Sequence, residues 1–577
     1  MPLFRVWAPD AGAVELLIHN QRLRMTSTPD GWWSVEGDAY AGETYTYSVD
    51  NSDPLPDPRS PYQPAGPFGP SAVVDHDAFK WTDSGWQAPP LASAMIYELH
   101  VGTFSAEGTY DGVIPHLDHL VELGVTHVEL MPAHQFPGAR GWGYDGVNLF
   151  APQNSYGGPD GLKRLVDACH ARGLAVLMDV VYNHLGPSGN FLSRFGPYFT
   201  TRYVTPWGQA INLDGPGSDE VRRFFCDNGL MWLRDYHCDG LRIDATEQIF
   251  DRSAVHLLEQ LAVEVKALEA HVGRRFALVA ESDLNDPHLV RSSEAGGYGL
   301  TAQWSDDFHH ALHAALTGER NGYYADFGSL ADLAHAFRHA YVYDGRYSVA
   351  RRRTHGRPTT GLTGDRFVVC AQNHDQIGNR AQGDRTSSAL SPNRLKIAAA
   401  LVCLSPFIPL LFQGEEWGAS APFMYFTDHQ DPALAQAIRE GRRNEFAAFG
   451  WRPEDIPDPQ ALETFERSKL NWGELTQEPH TSLNAWYRDL LRLRRTEPAL
   501  TDGAMRDVRC GWDEAARWFT VTRSPITLAC NLADAEQRVA LPGSVRREVA
   551  LASQAGIILD DASVTLPPDG VAVLRRR

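Results

Sequence analysis

From about residue 94 the 577-residue chain alternates short apolar runs with helical stretches, and this alternation restricts its fold more than any other feature. AMIYEL (94–99), THVELM (126–131), LAVLMDVV (174–181), GLRID (240–244), FALVAE (276–281), LTAQW (300–304), FVVCAQ (367–372) and IPLLFQ (408–413) read as strands. Runs this apolar suit a sheet covered on both faces, and helices between them make neighbouring strands parallel. Helical spacing fills the gaps: Leu117 to Gly124, Gly161 to Arg172, Val221 to Tyr236, Val255 to Leu268, Leu330 to His339, Leu395 to Leu404 and Asn484 to Arg495. Eight such units predict an α/β fold, a (β/α)8 TIM-type barrel over residues 91–504 with an insertion at about 185–217. Residues 1–90 change period: FRVWAP, AVELLI, WWSVEG and TYTYSV alternate apolar and polar positions, which predicts an N-terminal β-sandwich. A Pro-rich connection follows it. From 505 to 577 short strands return, as in RWFTVTR and PITLACNL, and predict a small C-terminal β-domain.

Composition removes several classes of function. A net charge of -20 argues against nucleic acid or an acidic membrane surface as partner. No apolar run reaches membrane-spanning length. The start, MPLFRVWAPDAG, lacks the pattern of a secretory leader, and seven scattered cysteines suit reduced thiols, so a cytoplasmic protein is expected.

Barrel chemistry gathers where strands run into the following loops. The third strand ends in Asp179 with Asn183 and His184 beyond it, the fourth in Asp244, the fifth in Glu281, and the seventh in Asn373, His374 and Asp375. Each acid alone also suits a helix cap or a rim position. Several at one mouth suit glycoside hydrolysis, which needs a nucleophilic carboxylate and a protonated acid about 5–5.5 Å apart in retaining enzymes. Asp244 and Glu281 end neighbouring strands, so that geometry is within reach. Arg242 lies two positions before Asp244, on the same side of the strand, where its charge keeps Asp244 ionised. Glu281 follows an apolar run with no cation adjacent in sequence, which favours a raised pKa and an acid role.

DVVYNH (179–184), GLRIDATE (240–247), VAES (279–282) and QNHDQ (372–376) resemble, in order and spacing, the four signature regions of the α-amylase superfamily, glycoside hydrolase family 13. The resemblance implies that Asp244 is the nucleophile, Glu281 the general acid/base and Asp375 a third carboxylate that orients sugar hydroxyls. It implies sugar contacts for His184 and His374, with Asn373 and Gln376 of the same run carried along. IYELHVGTF (96–104), QWSDDFHHALHAALTGERNGYYADF (303–327), FQGEEWGASAPFMYFTDH (412–429) and GRRNEFAAFGW (441–451) resemble one branch, the maltooligosyltrehalose trehalohydrolases. These cut the α-1,4 bond beside a terminal trehalose unit with water as acceptor, so the implied substrate is a maltooligosyltrehalose or α-1,4-glucan. A branching enzyme, which transfers to a sugar hydroxyl, and a non-catalytic glucan-binding protein stand as alternatives.

After the nucleophile many relatives carry a histidine two or three places on. Here Thr246, Glu247 and Gln248 stand, and Glu247 becomes a candidate for leaving-group contact. Asp306, Asp307 and His310 follow the sixth strand and are candidates to hold the trehalose end, although Ser305, Asp306 and Asp307 also suit a helix cap.

GWGYDG (141–146) matches a dinucleotide fingerprint, yet no helix follows, so it reads as a loop offering Trp142 and Tyr144 to a sugar face. DYHCDG (235–240) groups Asp, His and Cys, but adjacent strand residues point to opposite faces, so no metal is expected there. No cofactor is expected. VARRRTHGR (349–357) reads as a basic loop that could border the cleft. At most one of Trp32 and Trp33 can face outward, and packing is the preferred role for the pair.

Overall fold

The computed structural model describes every residue except 1, 448–450 and 544. Eight parallel strands close a barrel: Ile96–Leu99, His127–Leu130, Ala175–Val180, Gly240–Ile243, Ala277–Ala280, Ala302–Trp304, Phe367–Cys370 and Ile408–Phe412. Each falls inside one of the eight apolar runs, trimmed by a residue or two where the chain turns into a loop. Every barrel strand is buried along its whole length, because the interior fills one face and the helical ring covers the other. Helices Gly158–His170, Ser218–Arg234, Leu257–Val272, Asp306–Thr317, Pro392–Cys403 and His480–Thr496 supply much of that ring.

The interior is layered. Leu177, Val279, Trp304, Val368 and Leu410 belong to an apolar cluster inside the barrel. Two residues on, side chains return to the same face, so Asp179 lies one level above Leu177 and Glu281 one level above Val279. That upper level is polar: Glu98, Glu129, Asp179 and Arg242 are all buried. Gly240 stands where the fourth and fifth strands approach closely, since a methyl group there would overlap the Ala277 carbonyl. A longer side chain would push apart the two strands that carry Asp244 and Glu281.

Before the barrel, a three-stranded and a four-stranded antiparallel sheet pack together between residues 3 and 72. Trp33 is buried and its Nε1 donates to the Ala8 carbonyl at 3.0 Å. Trp32 is half-buried beneath Arg5 and Arg59 at 4.7 and 5.4 Å, so the pair packs as the alternation requires. Behind the barrel, a five-stranded and a three-stranded antiparallel sheet follow from Arg509. The early insertion contains a hairpin, Phe199–Thr205 with Gly208–Ile211, whose tip carries Trp207. Helix Pro432–Ala447 went unread in the sequence: only Ala435 and Phe446 are buried on it, so it has no apolar stripe. The seven cysteines form no disulfide. Among the described residues no helix is long and apolar enough to cross a membrane.

Candidate active site

Arg242 is 0% exposed and stands at the centre of the barrel mouth. Its Nη1 donates to both Asp179 carboxylate oxygens, at 2.9 and 2.8 Å, and to Asp244 Oδ1 at 2.9 Å. Its Nη2 donates to Glu281 Oε2 at 2.6 Å. The aromatic face of Trp304, one strand away from Glu281, lies 4.3 Å from the guanidinium carbon. Glu281 has no cation beside it in sequence, but the guanidinium spans from the fourth strand to the fifth and reaches both acids.

The two carboxyls nevertheless part in acidity. Burial pushes Asp244 up, but Arg242, His184, Asn183 and Glu281 outweigh it and hold Asp244 below the usual carboxylate range. Asn183 Nδ2 donates to Asp244 Oδ2 and to its carbonyl, each at 2.8 Å. For Glu281 burial wins: Arg242 lowers it, but Asp244, Asp375 and Asp306 add to the burial and raise it well above the ordinary value. Ala245 holds φ +37°, a left-handed conformation rare for a residue with a β-carbon. That turn aims the Ala245 N–H at Glu281 Oε2, 3.0 Å away.

Asp375 opens a short helix, His374–Gly378, and lines the same cavity. Asn373 caps that helix by accepting from the Asp375 and Gln376 amides, and Gln376 Oε1 accepts from the Asn373 amide at 3.0 Å. Both side chains are thus spent on the turn that presents Asp375. His374 lies between Glu98, hydrogen-bonded to Nδ1, and Tyr144, whose hydroxyl is 2.7 Å from Nε2. Burial opposes a charge on His374, but Glu98 and Asp375 push its pKa up to about 9. The protonated ring donates to Tyr144, whose hydroxyl donates in turn to Asp179 at 2.8 Å. Tyr144 stacks on His374 with the ring planes 20° apart, forming the cavity floor. Glu98 is the partner that sequence reasoning missed: it lies near the end of the first strand, inside IYELHVGTF, and nothing in that run shows that it meets His374.

The cavity above this floor holds about 510 Å³ and is lined by Trp142, Tyr144, His184, Trp207, Asp244, Glu281, Asp375 and Tyr425, among others. Trp142 is buried, stacked on Phe423 and donating to the Met424 carbonyl at 3.0 Å, so only its edge meets the cavity. His184 reaches Asn183 Oδ1 and the Tyr144 carbonyl and stacks on Trp207 at 4.2 Å. Trp207 is 51% exposed, a free aromatic face that the hairpin brings in from the insertion. Its signal in the sequence was weak: one tryptophan in a polar loop.

Four candidates stand on the Glu281 side. Asp306 is pushed up to about 7 by burial and by Asp375, Asp283 and Asp307, and its charge is felt at Glu281. Glu247, on a turn after Asp244, is also pushed up to about 7 by burial, and its Oε2 accepts from the Asp283 amide at 3.4 Å. Asp307 is spent on structure: Oδ2 accepts from Asn285 Nδ2 and from the Val342 and Tyr343 amides. His310 is buried among Tyr323, Tyr324 and Phe327, and burial pushes it down to about 3, so it is neutral packing behind the wall. Ser305 accepts from the Phe308 amide and caps helix Asp306–Thr317, as its residue type suggests. In the basic loop, Arg351 pairs with Asp283 beside these groups. The stretch 441–451 lies partly outside the described residues; Arg442 and Glu445 from it line the cavity.

GWGYDG leads into a strand, Asn148–Pro152, not a helix, and so builds a wall of the cavity instead of a dinucleotide loop. Across DYHCDG, His237 and Asp239 join Asp83, His170 and Arg274 in an ion-pair cluster. Among the described residues no group of three or more His, Cys, Asp or Glu is arranged to hold a metal ion.

Residues 70–196 match the family described as alpha amylase, catalytic domain, and residues 504–573 match a domain of unknown function. The chain is 51% identical to the malto-oligosyltrehalose trehalohydrolase of Arthrobacter ramosus, over 92% of both chains. It is 47% identical to that of Mycobacterium tuberculosis, over 100% of this chain and 99% of the relative. A Salmonella typhimurium crystal structure, assigned by its name to the alpha amylases, superposes with a TM-score of 0.90 at 38% identity, covering 99% of this chain and 97% of that one. An Arg242-centred barrel mouth and identity at this level along almost the whole sequence lead to one assignment: the chain belongs to the malto-oligosyltrehalose trehalohydrolase family of α-amylase-type glycoside hydrolases.

Proposed function

We propose that this chain hydrolyses the α-1,4-glucosidic bond beside the trehalose end of a maltooligosyltrehalose, in the cytoplasm, with retention at the anomeric carbon. Residues 91–504 form its catalytic unit, and residues 1–90 and 505–577 flank it as β-domains. The observation that carries the mechanism is one guanidinium bridging two carboxyls whose acidities are driven apart. Two groups sharing one guanidinium suit the short separation, about 5–5.5 Å, of a retaining pair.

Asp244, kept ionised, attacks the anomeric carbon while Glu281 gives its proton to the glycosidic oxygen, and the carbon–oxygen bond breaks. Trehalose leaves, and the remaining glucan is held as an ester of Asp244. Glu281, now a carboxylate, takes a proton from water; the water oxygen bonds the anomeric carbon and Asp244 is released. Asp375 holds hydroxyls of the sugar being cleaved and Tyr144 floors it, while His184 and His374, whose ring nitrogens are spent on protein partners, keep Tyr144 in place. Trp142 and Trp207 bound the glucan, and Asp306 and Glu247 face the trehalose unit. Arg242 acts through the carboxylates it holds.

Incubation with maltotriosyltrehalose and with amylose tests the reading. Free trehalose from the first and no new branches from the second are expected. New α-1,6 branches without trehalose would make the chain a branching enzyme, and no turnover of either substrate would leave a glucan-binding protein.

A further inference from the structure

The mechanism makes no use of Asp145, yet its carboxylate lines the reaction cavity beside Trp142 and Tyr425. Its place along the cleft follows from barrel order. Asp145 stands on the loop after the second barrel strand, against His429 from the loop after the eighth. Glu281 and Asp306 follow the fifth and sixth strands. Asp145 therefore lies across the mouth from the acid and from Asp306, on the glucan side.

The segment that holds Asp145 is built with little play. A methyl on Gly146 would overlap the His134 ring, and one on Gly186 would overlap the Asp145 carbonyl. Residues 423–430 zip along the same loop: Met424 accepts from Trp142, and Asp428 accepts from the Ala139 amide and pairs with Arg140. His429 completes the zip. Its side chain is 2% exposed, and Nε2 stands 3.4 Å from Asp145 Oδ2. Among the described residues neither ring nitrogen has a hydrogen-bond partner. With no other polar partner, that buried imidazole is placed to hold one carboxylate oxygen of Asp145, which leaves the other oxygen for the cavity.

The geometry points to Asp145 as the acceptor for a hydroxyl of the second glucose on the glucan side of the cleaved bond, with His429 as its positioning residue. This inference rests on the proposed hydrolysis and deepens it: it assigns the residue that separates long glucans from a single glucosyl unit. Tyr425, half-buried and T-shaped on Trp142 at 5.3 Å, offers its hydroxyl at the same point.

The test uses the full chain with glucosyltrehalose, which has one glucose on that side, and maltotriosyltrehalose, which has three. A charge-assisted hydrogen bond is worth about 1.5–3 kcal/mol, so its loss weakens binding at least tenfold. Asp145→Asn should raise KM for maltotriosyltrehalose about tenfold, leave kcat within about twofold, and leave both constants for glucosyltrehalose nearly unchanged. His429→Phe should reproduce this length-selective loss, and His429→Gln, which keeps a donor, should restore most of it. Equal impairment on both substrates, or no impairment on either, would overturn the assignment. Calorimetry with maltotriose alone reads the contact without turnover: tenfold weaker binding to Asp145→Asn supports it, and unchanged binding overturns it. A parent protein that released no trehalose at all would instead overturn the proposed hydrolysis, and the maltotriose measurement would still decide this contact.

Discussion

Asp179, Asp244 and Glu281 share the single cation Arg242, so their titrations are tied to it. In the proposed mechanism Asp244 acts as a carboxylate, and its pKa is held low, so kcat/KM should fall as pH drops through that depressed value. Glu281 acts there in its protonated form, and its pKa is raised, so kcat/KM should fall again as pH rises through it. Arg242→Lys removes the fork that serves both strands and weakens the lowering it exerts on each acid. Both limbs of the pH profile should then move to higher pH, with kcat at least tenfold lower; unmoved limbs would show that Arg242 does not set these acidities. Arg242→Met strips the buried acids of their partner and should cost about 3–5 kcal/mol of stability in denaturant titration. The pairing of Arg242 with Asp244 was legible because residues two apart on a strand share a face. Its reach to Glu281 and Asp179 was not, because neighbours across a sheet are set by barrel closure. The same limit hid Glu98 behind His374, and it hid the spending of Asp307 on the 342–343 backbone.

The GWGYDG loop shows how the packing of one element positions several side chains of the cavity at once. Gly146 faces the His134 ring, so Gly146→Ala must displace a wall that carries Tyr144 and Asp145. Overpacking of this kind costs about 1–3 kcal/mol, and kcat/KM should fall with it; an alanine variant of parental stability and activity would mean that the loop has slack. At the opposite end of the barrel, Asp83 pairs with His170 and His237, and Trp86 stacks on His170 at 4.5 Å while donating to Asp239. This cluster pins the Pro-rich connection. Burial lowers the His170 pKa, but Asp239 and Asp83 outweigh it and raise it above 6.5. Its contribution is therefore present below 6.5 and lost as pH rises through the raised value. Asp83 and Asp239 are held below 3.8 despite burial, chiefly by His170 and, for Asp83, His237; their contribution is present above 3.8 and lost as pH falls through the lowered values. The melting temperature of the parent should decline above pH 6.5, and His170→Gln should flatten that decline. The barrel strands were legible from apolar runs bounded by turns. Helix Pro432–Ala447 was not, because its buried face is two residues wide.

One hydrophobic core runs through the β-regions at both ends and the barrel between them. Trp7 meets Tyr198 of the insertion at 5.6 Å, and Arg59 pairs with Asp227 on a barrel helix at 2.7 Å. At the other end Arg523 donates to the Leu404, Ser405 and Leu500 carbonyls. Heating should therefore give one calorimetric transition, and a β-region melting separately would contradict a shared core. The three-part plan was legible because the strand period changes twice along the chain. The cleft was less so, since its walls come from residues as far apart as Trp142, Trp207 and Arg442. Retention through Asp244, with trehalose as the leaving group, is read by time-resolved proton NMR of maltotriosyltrehalose hydrolysis. Free trehalose is expected together with maltotriose whose new reducing end appears first as the α-anomer. A reducing end that appears first as the β-anomer, or turnover without trehalose, would rule this mechanism out.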